Sequence, residues 1–325
     1  MSVSDSPHSS QTPAISGALK VLVSGSTGYV GRHVVRRLAK QGFSVRALVR
    51  GGSDRSVIAP YTNDFFEGSV TDRDSLNGAC NGCFAVVHLV GIINEAEDTF
   101  EHIHVDGTRN LIDEAKLGGV KRFVYLSGLG SRPDARARYH KTKYAAEQLV
   151  SGSGMEGYNF PASVIFGPED EFLNLFVTFA KNIADPRYPP WPIMPAIGGG
   201  TTMLQPIWVE DVAEVLANAC APDFPKKLPP GTYELAGPEA LSVKQIMKLA
   251  CRAAERHRIF VPVPYVVANI LAGFMEKFSS KPMLCRDQVL MLQEDGRAKN
   301  NKAPEILGHP PRRMWDYVRE HFLKQ

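Results

Sequence analysis

From Lys20 onward, short runs of β-branched and aromatic residues alternate with segments in which apolar residues recur every three or four positions. The runs predict strands at residues 20–24, 44–49, 65–66, 85–89, 123–126 and 162–166. Helical spacing lies between them, at residues 29–41, 72–79, 99–117 and 135–150. Strands that alternate with helices predict βαβ units, and therefore an α/β fold with a doubly wound parallel sheet.

The pattern changes after Gly167. Residues 186–200 are rich in proline and glycine, and they predict a loop of the length that is usually functional. Beyond this loop we expect an apolar stretch at 206–209, a helix at 210–220 and a strand at 232–235. A further helix is expected to begin at Ser242, because Ser242 and Gln245 have the spacing of a capping box. These elements predict a smaller α/β region that packs beside the mouth of the sheet.

Composition narrows the classes of protein. The chain has 325 residues, of which 37 are basic and 34 acidic, so its length fits about two domains and its charge is nearly balanced. This balance gives no support for a nucleic-acid partner. Five cysteines are an odd number and argue against a disulfide scaffold. Cys80 and Cys83 have the spacing of a metal-ligand pair, but there is no second pair, so we predict no metal site.

Two segments bear on targeting. Residues 1–16 have no apolar run, lysine or arginine, which argues against a signal or transit peptide and predicts a disordered tail over residues 1–18. Residues 259–275 are uncharged but contain two prolines, which predicts a turn and a helix with one apolar face rather than a transmembrane segment. Such a face usually packs in the core, and contact with a membrane or partner is the alternative. We predict a cytoplasmic chain, with peripheral membrane association as the alternative.

A glycine-rich turn joins the first predicted strand to the first predicted helix. It comprises Gly25, Ser26, Thr27, Gly28, Tyr29, Val30 and Gly31. Glycine permits a tight turn and a close backbone approach, and the N-terminus of a helix offers free N–H groups to a pyrophosphate. The turn therefore predicts a dinucleotide site, with glycines that serve only the turn itself as the alternative.

The residues after this turn bear on the choice of dinucleotide. No acidic residue occurs between Gly25 and Asp54, whereas an NAD-selective site normally has one about 20 residues after the glycines. Arg50 ends the second predicted strand, and a guanidinium can pair with a 2′-phosphate. Further arginines lie nearby in sequence, at Arg32, Arg36, Arg37 and Arg46. We predict NADP(H) in preference to NAD(H), with Arg50 as a solvated charge as the alternative.

Several motifs together resemble the extended and atypical short-chain dehydrogenases/reductases over residues 19–250. They are the GxxGxxG turn and the segments VHLVG (87–91), GTRNL (107–111), YHKTK (139–143) and QPIWVEDV (205–212). Within that superfamily, HLVGIINE, SVIFGPEDEFLN and QPIWVEDVA resemble most closely the NADPH-binding accessory subunit of respiratory complex I and its bacterial relatives.

The resemblance implies a cofactor lying across the carboxyl ends of the strands. Its further contacts would be Ser69, Val70, Leu89, Val90 and Gly91. It also implies a Rossmann domain at 19–167 and a substrate or partner region at 168–325, with parts of 203–240 packing back on the first domain.

The resemblance implies a catalytic pair at Tyr139 and Lys143. A spacing of four places both side chains on one helical face, where the ammonium would lower the pKa of the phenol. Tyr139 would exchange a proton with a substrate oxygen, and Lys143 would also hold the nicotinamide ribose. The alternative is a surface pair of Lys143 with Glu147.

The chain also departs from the family. The hydroxyl that usually polarises the substrate is Ser127, or Gly128 occupies its place and Ser131 lies too far along the chain. His104 stands for the usual asparagine, and Ser69 stands for the usual aspartate near adenine. Three functions stay open: an oxidoreductase for an unidentified carbonyl or hydroxyl substrate, a non-catalytic NADPH-binding subunit of a complex I-like membrane complex, and a sugar-nucleotide epimerase or dehydratase.

Overall fold

A parallel sheet with helices on both faces forms the first half of the protein. The computed structural model describes residues 18–95, 97–181, 193–279 and 282–323. The strands are Lys20–Ser24 (β1), Ser44–Val49 (β2), Asp64–Glu67 (β3), Ala85–His88 (β4), Arg122–Gly128 (β5), Glu156–Ala162 (β6), Ile165–Phe166 (β7), Ile193–Ile197 (β8), Met203–Leu204 (β9), Ile207–Trp208 (β10), Gly231–Thr232 (β11), Leu241–Ser242 (β12) and Ile259–Val263 (β13).

Helices connect and cover these strands. The α-helices are Tyr29–Lys40 (α1), Gly107–Leu117 (α2), Arg138–Ser151 (α3), Leu173–Lys181 (α4), Val209–Ala219 (α5), Phe224–Lys227 (α6), Val243–Ala253 (α7), Tyr265–Phe278 (α8), Arg286–Met291 (α9), Ala303–Leu307 (α10) and Met314–Phe322 (α11). A π-helical turn, Glu101–Asp106, leads directly into α2. Among the described residues, no helix is long and apolar enough to cross a membrane.

The central sheet confirms the predicted fold class. Its strand order is β11-β6-β5-β4-β1-β2-β3, and its strands pair in parallel. β1 lies between β2 and β4, and Val21, Leu22 and Val23 are fully buried, as a strand covered on both faces requires. The connections reverse direction between β1 and β4, and ligands of such sheets bind at the carboxyl ends of the strands at this switch point.

The predicted strand at 162–166 is wrong in its position. The sheet strand is β6, which ends at Ala162, and only Ile165 and Phe166 pair afterwards, with β10. Pro161 lies inside β6, where a proline is unexpected because it cannot donate to the ladder. Its carbonyl oxygen accepts a 2.8 Å hydrogen bond from the Leu235 N–H, so the missing N–H does not interrupt the pairing on that side.

Three other expectations change. The helix expected at 72–79 is a single 3₁₀ turn, Asp74–Leu76. Of the expected loop at 186–200, residues 186–192 lie outside the described residues, while Ile193–Ile197 forms β8 and pairs in parallel with β13. The turn expected from Pro262 is therefore a strand. The capping box is confirmed, because the Ser242 hydroxyl accepts from the Gln245 N–H at 3.2 Å and Gln245 Oε1 accepts from the Ser242 N–H at 2.7 Å.

The second half contacts the first through α5. Ile207, Val212 and Leu216 lie in the same hydrophobic cluster as Val21 and Val34. Arg37 of α1 pairs with Glu214 of α5 at 2.8 Å. A separate cluster joins α4, α7 and α11. The boundary between domains at residue 167 stays a prediction.

Candidate functional site

The glycine-rich turn lies at the switch point between β1 and α1. Gly25 has φ of +71°, and its carbonyl oxygen accepts from the Gly28 N–H at 3.1 Å. A Cβ at Gly31 would lie 2.0 Å from the Gly25 oxygen, so α1 can approach the turn this closely only with glycine at that position. The first turn of α1 contains no acidic residue, which leaves its positive dipole available to an anion.

The side chains of this turn hold its conformation. The buried Ser26 hydroxyl donates to the Leu48 carbonyl at 3.0 Å, and Val30 packs against the core beneath the sheet edge. The Tyr29 hydroxyl lies 2.8 Å from where a Cβ of Gly167 would be, against the second half of the chain. Thr27 is half-buried between them. The turn can offer its backbone N–H groups to a phosphate.

Arg50 lies exposed just beyond the carboxyl end of β2, and its side chain has no partner among the described residues. The other nearby arginines are engaged with acidic residues. Arg32 pairs with Glu169, Arg36 with Glu210, Arg37 with Glu214, and Arg46 with Asp64. Arg50 is thus the arginine of this group that is free to meet a ligand.

Glu67, at the carboxyl end of β3, is a neighbour that the sequence analysis missed. It pairs in register with Val49, and its Oε1 would lie 3.5 Å from a Cβ at Gly51. Arg55 pairs with Glu67 at 2.5 Å and offsets its charge. Glu67 could have been predicted at this edge, because it directly follows the predicted strand 65–66.

Ser69 and Val70 follow β3 and lie in a hydrogen-bonded loop. The Ser69 hydroxyl is 2.8 Å from the Thr71 hydroxyl, and Asn110 of α2 donates to the Val70 carbonyl at 2.9 Å. The Val70 side chain is buried against Gly107. The loop is therefore fixed to α2, and the adenine contact expected at Ser69 stays a prediction.

The loop after β4 meets the glycine-rich turn. A Cβ at Gly25 would lie 3.3 Å from the Leu89 carbonyl carbon and 3.2 Å from the Val90 nitrogen. A Cβ at Gly91 would lie 3.4 Å from His104 Nε2 and 3.6 Å from Lys143 Nζ. The structure thus brings the predicted phosphate turn, the 89–91 loop and Lys143 to the same edge of the sheet.

Lys143 is buried at this edge. Its Nζ donates to the Leu126 carbonyl at 2.8 Å and lies 4.3 Å from the centroid of the Tyr125 ring. Burial disfavours the charged ammonium and lowers the pKa of Lys143 to about 7. Glu147, one turn further along α3, opposes this shift through its charge.

Tyr139 lies at the start of α3, with its ring edge-on to the His104 ring at 5.5 Å. A Cβ at Gly128 would lie 3.0 Å from the Tyr139 hydroxyl oxygen. We expected Lys143 to lower the pKa of the phenol, but the shift has the opposite direction. Burial raises the pKa of Tyr139 to about 12, so the phenol is protonated at neutral pH.

Ser127 and Gly128 project to opposite faces of β5, because side chains alternate along a strand. The Ser127 hydroxyl is 3.4 Å from the Ser131 hydroxyl. The position on β5 in contact with the Tyr139 ring is Gly128, which carries no hydroxyl. The role of Ser127 as a substrate-facing hydroxyl stays a prediction.

His104 connects the 89–91 loop with α3. Its Nε2 accepts from the Ile92 N–H at 3.1 Å, and its Nδ1 is 2.9 Å from the Thr142 hydroxyl. Burial lowers the pKa of His104 to about 2, so the ring is neutral. His104 both packs and forms hydrogen bonds, since its ring also stacks on Phe100.

Asp287 of α9 caps the helix that carries Tyr139. Its carboxylate accepts from the backbone N–H groups of Arg138 at 2.8 Å and of Tyr139 at 2.9 Å. These are free donors at the first turn of α3, where a negative charge is also favourable to the helix dipole. The sequence analysis missed Asp287 because nothing local relates it to residues almost 150 positions earlier.

The cysteine pair lies away from this edge. Cys80 and Cys83 are buried free thiols in the cluster that contains Leu22 and Leu111. Burial raises the pKa of Cys83 above its ordinary value. Among the described residues, no group of three histidine, cysteine or acidic side chains could hold a metal ion.

The comparison with protein families agrees with this geometry. A model of the NmrA-like family matches residues 18–290, which is most of the chain. The chain belongs to the NmrA-like family. This family assignment and the relatives below confirm the predicted NAD(P)-binding, short-chain dehydrogenase/reductase-like fold.

Two sequence relatives of this NmrA-like chain are named for an activity or for the assembly to which they belong. Subunit 9 of the NADH dehydrogenase (ubiquinone) 1 alpha subcomplex, from mitochondria of Arabidopsis thaliana, is 29% identical over 260 residues, or 77% of this chain and 62% of that one. Ceramide reductase of Caulobacter vibrioides is 29% identical over 206 residues, or 62% of this chain and 60% of that one. The first likeness confirms the resemblance to the complex I accessory subunit.

A solved structure is similar over nearly the whole length. The NADPH-dependent quinone oxidoreductase QOR2 of Escherichia coli, in complex with NADPH, superposes with a TM-score of 0.70 and covers 93% of this chain and 99% of that one. Its sequence identity is 18%, so this likeness shows the fold of the NmrA-like chain alone.

Proposed function

We propose that the protein is an NADP(H)-dependent reductase that converts a carbonyl group into an alcohol, with Tyr139 as the proton donor. The observation that carries this proposal is the protonated phenol of Tyr139 at the edge where the glycine-rich turn, Gly91 and Lys143 meet. Burial keeps this phenol protonated at neutral pH, so it can donate a proton to a substrate oxygen.

The residues at this edge fit a nicotinamide dinucleotide. The turn has no side chain at Gly28 or Gly31, and the helix start beside it has no acidic residue. These features suit the pyrophosphate. Arg50 is free to pair with a 2′-phosphate, and Lys143 would hold the nicotinamide ribose beside Gly91. When bound, the reduced cofactor supplies a hydride.

The chain itself would supply the proton and the orientation. Tyr139 donates its phenolic proton to the substrate oxygen, and Asp287 fixes the backbone at the start of α3 so that the phenol stays beside Gly128. The absence of a side chain at Gly128 lets the Tyr139 ring pack directly on β5, because a Cβ there would lie 2.8 Å from the ring carbon Cε1. His104 fixes the 89–91 loop to α3 through Ile92 and Thr142.

The test compares Tyr139→Phe with Tyr144→Phe, a matched change on the same helix. Purified protein is supplied with NADPH and a panel of aldehydes and ketones, and the oxidation of NADPH is followed by absorbance. Removal of the phenolic proton should lower kcat by roughly 100-fold or more, since general acid catalysis contributes that much. Tyr144→Phe should leave kcat unchanged, and both variants should bind NADPH as the wild type does. Equal rates for the wild type and Tyr139→Phe would refute the assignment.

A second candidate is a non-catalytic NADPH-binding subunit of a membrane complex. Gly128 favours it, because the position on β5 beside Tyr139 lacks the hydroxyl with which the resemblance implies substrate polarisation. Relatives named as subunits of NADH dehydrogenase add support. This candidate predicts tightly bound NADPH that no carbonyl compound oxidises, together with co-purification with a membrane complex. An epimerase or dehydratase is the third candidate, and the missing hydroxyl argues against it as well.

A further inference from the structure

An apolar helix face is exposed on α8. Six large side chains of this helix are between 45% and 72% exposed, namely Val266, Val267, Ile270, Leu271, Phe274 and Phe278. At 100° per residue they occupy a sector about 140° wide along a helix roughly 21 Å long. Monomeric soluble proteins rarely expose a contiguous apolar surface of this kind without a function for it.

The inward face of α8 shows that this orientation is built into the fold. The residues that α8 buries are the small Ala268 and Ala272, which pack in a cluster with Val289 of α9 and Leu284. A helix whose apolar residues served only folding would bury its large side chains and expose the small ones. In α8 the arrangement is the reverse.

The sequence around α8 has a net positive charge. Residues 252–286 contain six lysines and arginines but only two glutamates. One of these glutamates, Glu276, accepts from the Arg286 N–H at 2.8 Å and lies 3.8 Å from its side chain. Lys277 lies at the edge of the apolar sector, 5.8 Å from the Phe278 ring centroid. An apolar helix face with basic flanks is complementary to an anionic bilayer surface.

The same charge argues against a second copy of the chain as the occupant. In a two-fold dimer the same patch meets itself, so the net positive flanks of one α8 would face those of the other. A bilayer with anionic headgroups receives the apolar side chains and the flanking cations together.

The α8 face is connected to the candidate site by direct contacts. α8 packs on α9, and Asp287 of α9 binds the backbone at Tyr139. Cys285, which precedes α9, donates through its sulfur to the carbonyl of Ile93 at 3.7 Å. Ile93 follows the 89–91 loop and is itself 44% exposed.

We infer that the α8 face docks on the surface of an anionic lipid bilayer. The large side chains insert among the headgroups and upper acyl chains, and the lysines and arginines meet the anionic lipids. The contacts through α9 and Ile93 place the Tyr139 edge of the sheet beside the docked surface. This inference stands on α8 and its neighbours, and it does not depend on the proposed reductase activity.

The experiment is vesicle flotation with the full chain. The vesicles are phosphatidylcholine alone, or phosphatidylcholine with phosphatidylglycerol. The wild type should float with the anionic vesicles, and less with the neutral ones. The double variant Ile270→Glu/Phe274→Glu should bind the anionic vesicles at least about tenfold more weakly than the wild type. It places two carboxylates in the apolar sector. The matched control is Leu117→Glu, because Leu117 is 79% exposed at the end of α2, and it should float as the wild type does.

Three flotation outcomes would overturn the inference. A wild type that stays unbound refutes docking, and so does a double variant that binds as the wild type does. A wild type that is dimeric by light scattering, becomes monomeric in the double variant and never floats assigns the face to a second copy. Thermal melting and NADPH fluorescence check that the double variant is folded. A wild type that floats but shows no NADPH-dependent reduction would refute the proposed function and leave the flotation result unaffected.

Discussion

Arg50 gives a sharp test of the cofactor assignment. Its side chain is exposed at the carboxyl end of β2 and has no partner among the described residues, so Arg50→Ala removes no contact of the folded protein. The free energy of unfolding should therefore change by less than about 0.5 kcal/mol. Any effect on dinucleotide affinity can then be attributed to a lost contact with the ligand.

The size of that effect follows from the chemistry of the contact. A hydrogen bond to a charged group contributes about 1.5–3 kcal/mol when it is shielded from water, and an exposed ion pair contributes about 1 kcal/mol or less. Arg50 lies at an exposed strand end, so we expect about 1–2 kcal/mol, which is roughly a 5- to 30-fold rise in the Kd for NADPH. The Kd for NADH should stay within about twofold, because NADH lacks the 2′-phosphate. Arg50→Glu should raise the Kd for NADPH further. It adds a second carboxylate near Glu67, and both carboxylates would repel the 2′-phosphate.

The assay is titration of NADPH and NADH fluorescence on the wild type and the variants, at two salt concentrations. Arg319→Ala is the control, because this arginine of α11 is 60% exposed. The salt dependence of the NADPH Kd should be smaller in Arg50→Ala, since one ionic contact is gone. A Kd that rises equally for both dinucleotides, or for neither, would show that Arg50 does not read the 2′-phosphate.

Two further predictions concern the fold around the site. Gly31→Ala should lower the free energy of unfolding by about 2 kcal/mol or more and abolish NADPH binding, because its Cβ would lie 2.0 Å from the Gly25 oxygen. Urea unfolding measures the change in stability. The control is Gly231→Ala, which should be tolerated because the nearest contact of its Cβ would be at 3.5 Å. The pKa of His104 is lowered to about 2, so below pH 6.5 the unfolded chain takes up a proton that the folded protein does not, and stability falls with falling pH. His104→Asn should reduce that fall by about 1 kcal/mol per pH unit between pH 6 and 4, and parallel curves for the two proteins would contradict it.

The inner strands of the sheet were predictable because they are buried on both faces. Val21, Leu22 and Val23 form a continuous apolar run, and the helix that follows has apolar residues on one side. The prediction was wrong at β6, because a proline such as Pro161 is unexpected inside a strand. The carbonyl oxygen of Pro161 nevertheless accepts a hydrogen bond from the Leu235 N–H. The pattern of α8 was also ambiguous, since a 3.6-residue period is the same for a buried and an exposed apolar face.

The candidate site was predictable where its residues are close in sequence. The glycine-rich turn spans seven positions and the Tyr139–Lys143 pair spans five, so the local geometry of a helix or turn fixes them. The pairing of Arg32 with Glu169 and the cap by Asp287 depend on how distant segments pack. The raised pKa of Tyr139 was also missed, because it is caused by burial, and burial is a property of the whole fold.

The second half of the chain is attached to the first at both helices that form the candidate site. α1, which begins at the glycine-rich turn, is held by Glu169 through Arg32 and by Glu210 through Arg36 and His33. The start of α3 is held by Asp287. A ligand that orders these two helix starts would therefore also tighten their links to the second half, including α9 and the α8 packed on it. Binding at the sheet edge and docking through α8 are thus expected to stabilise the same arrangement of the two halves.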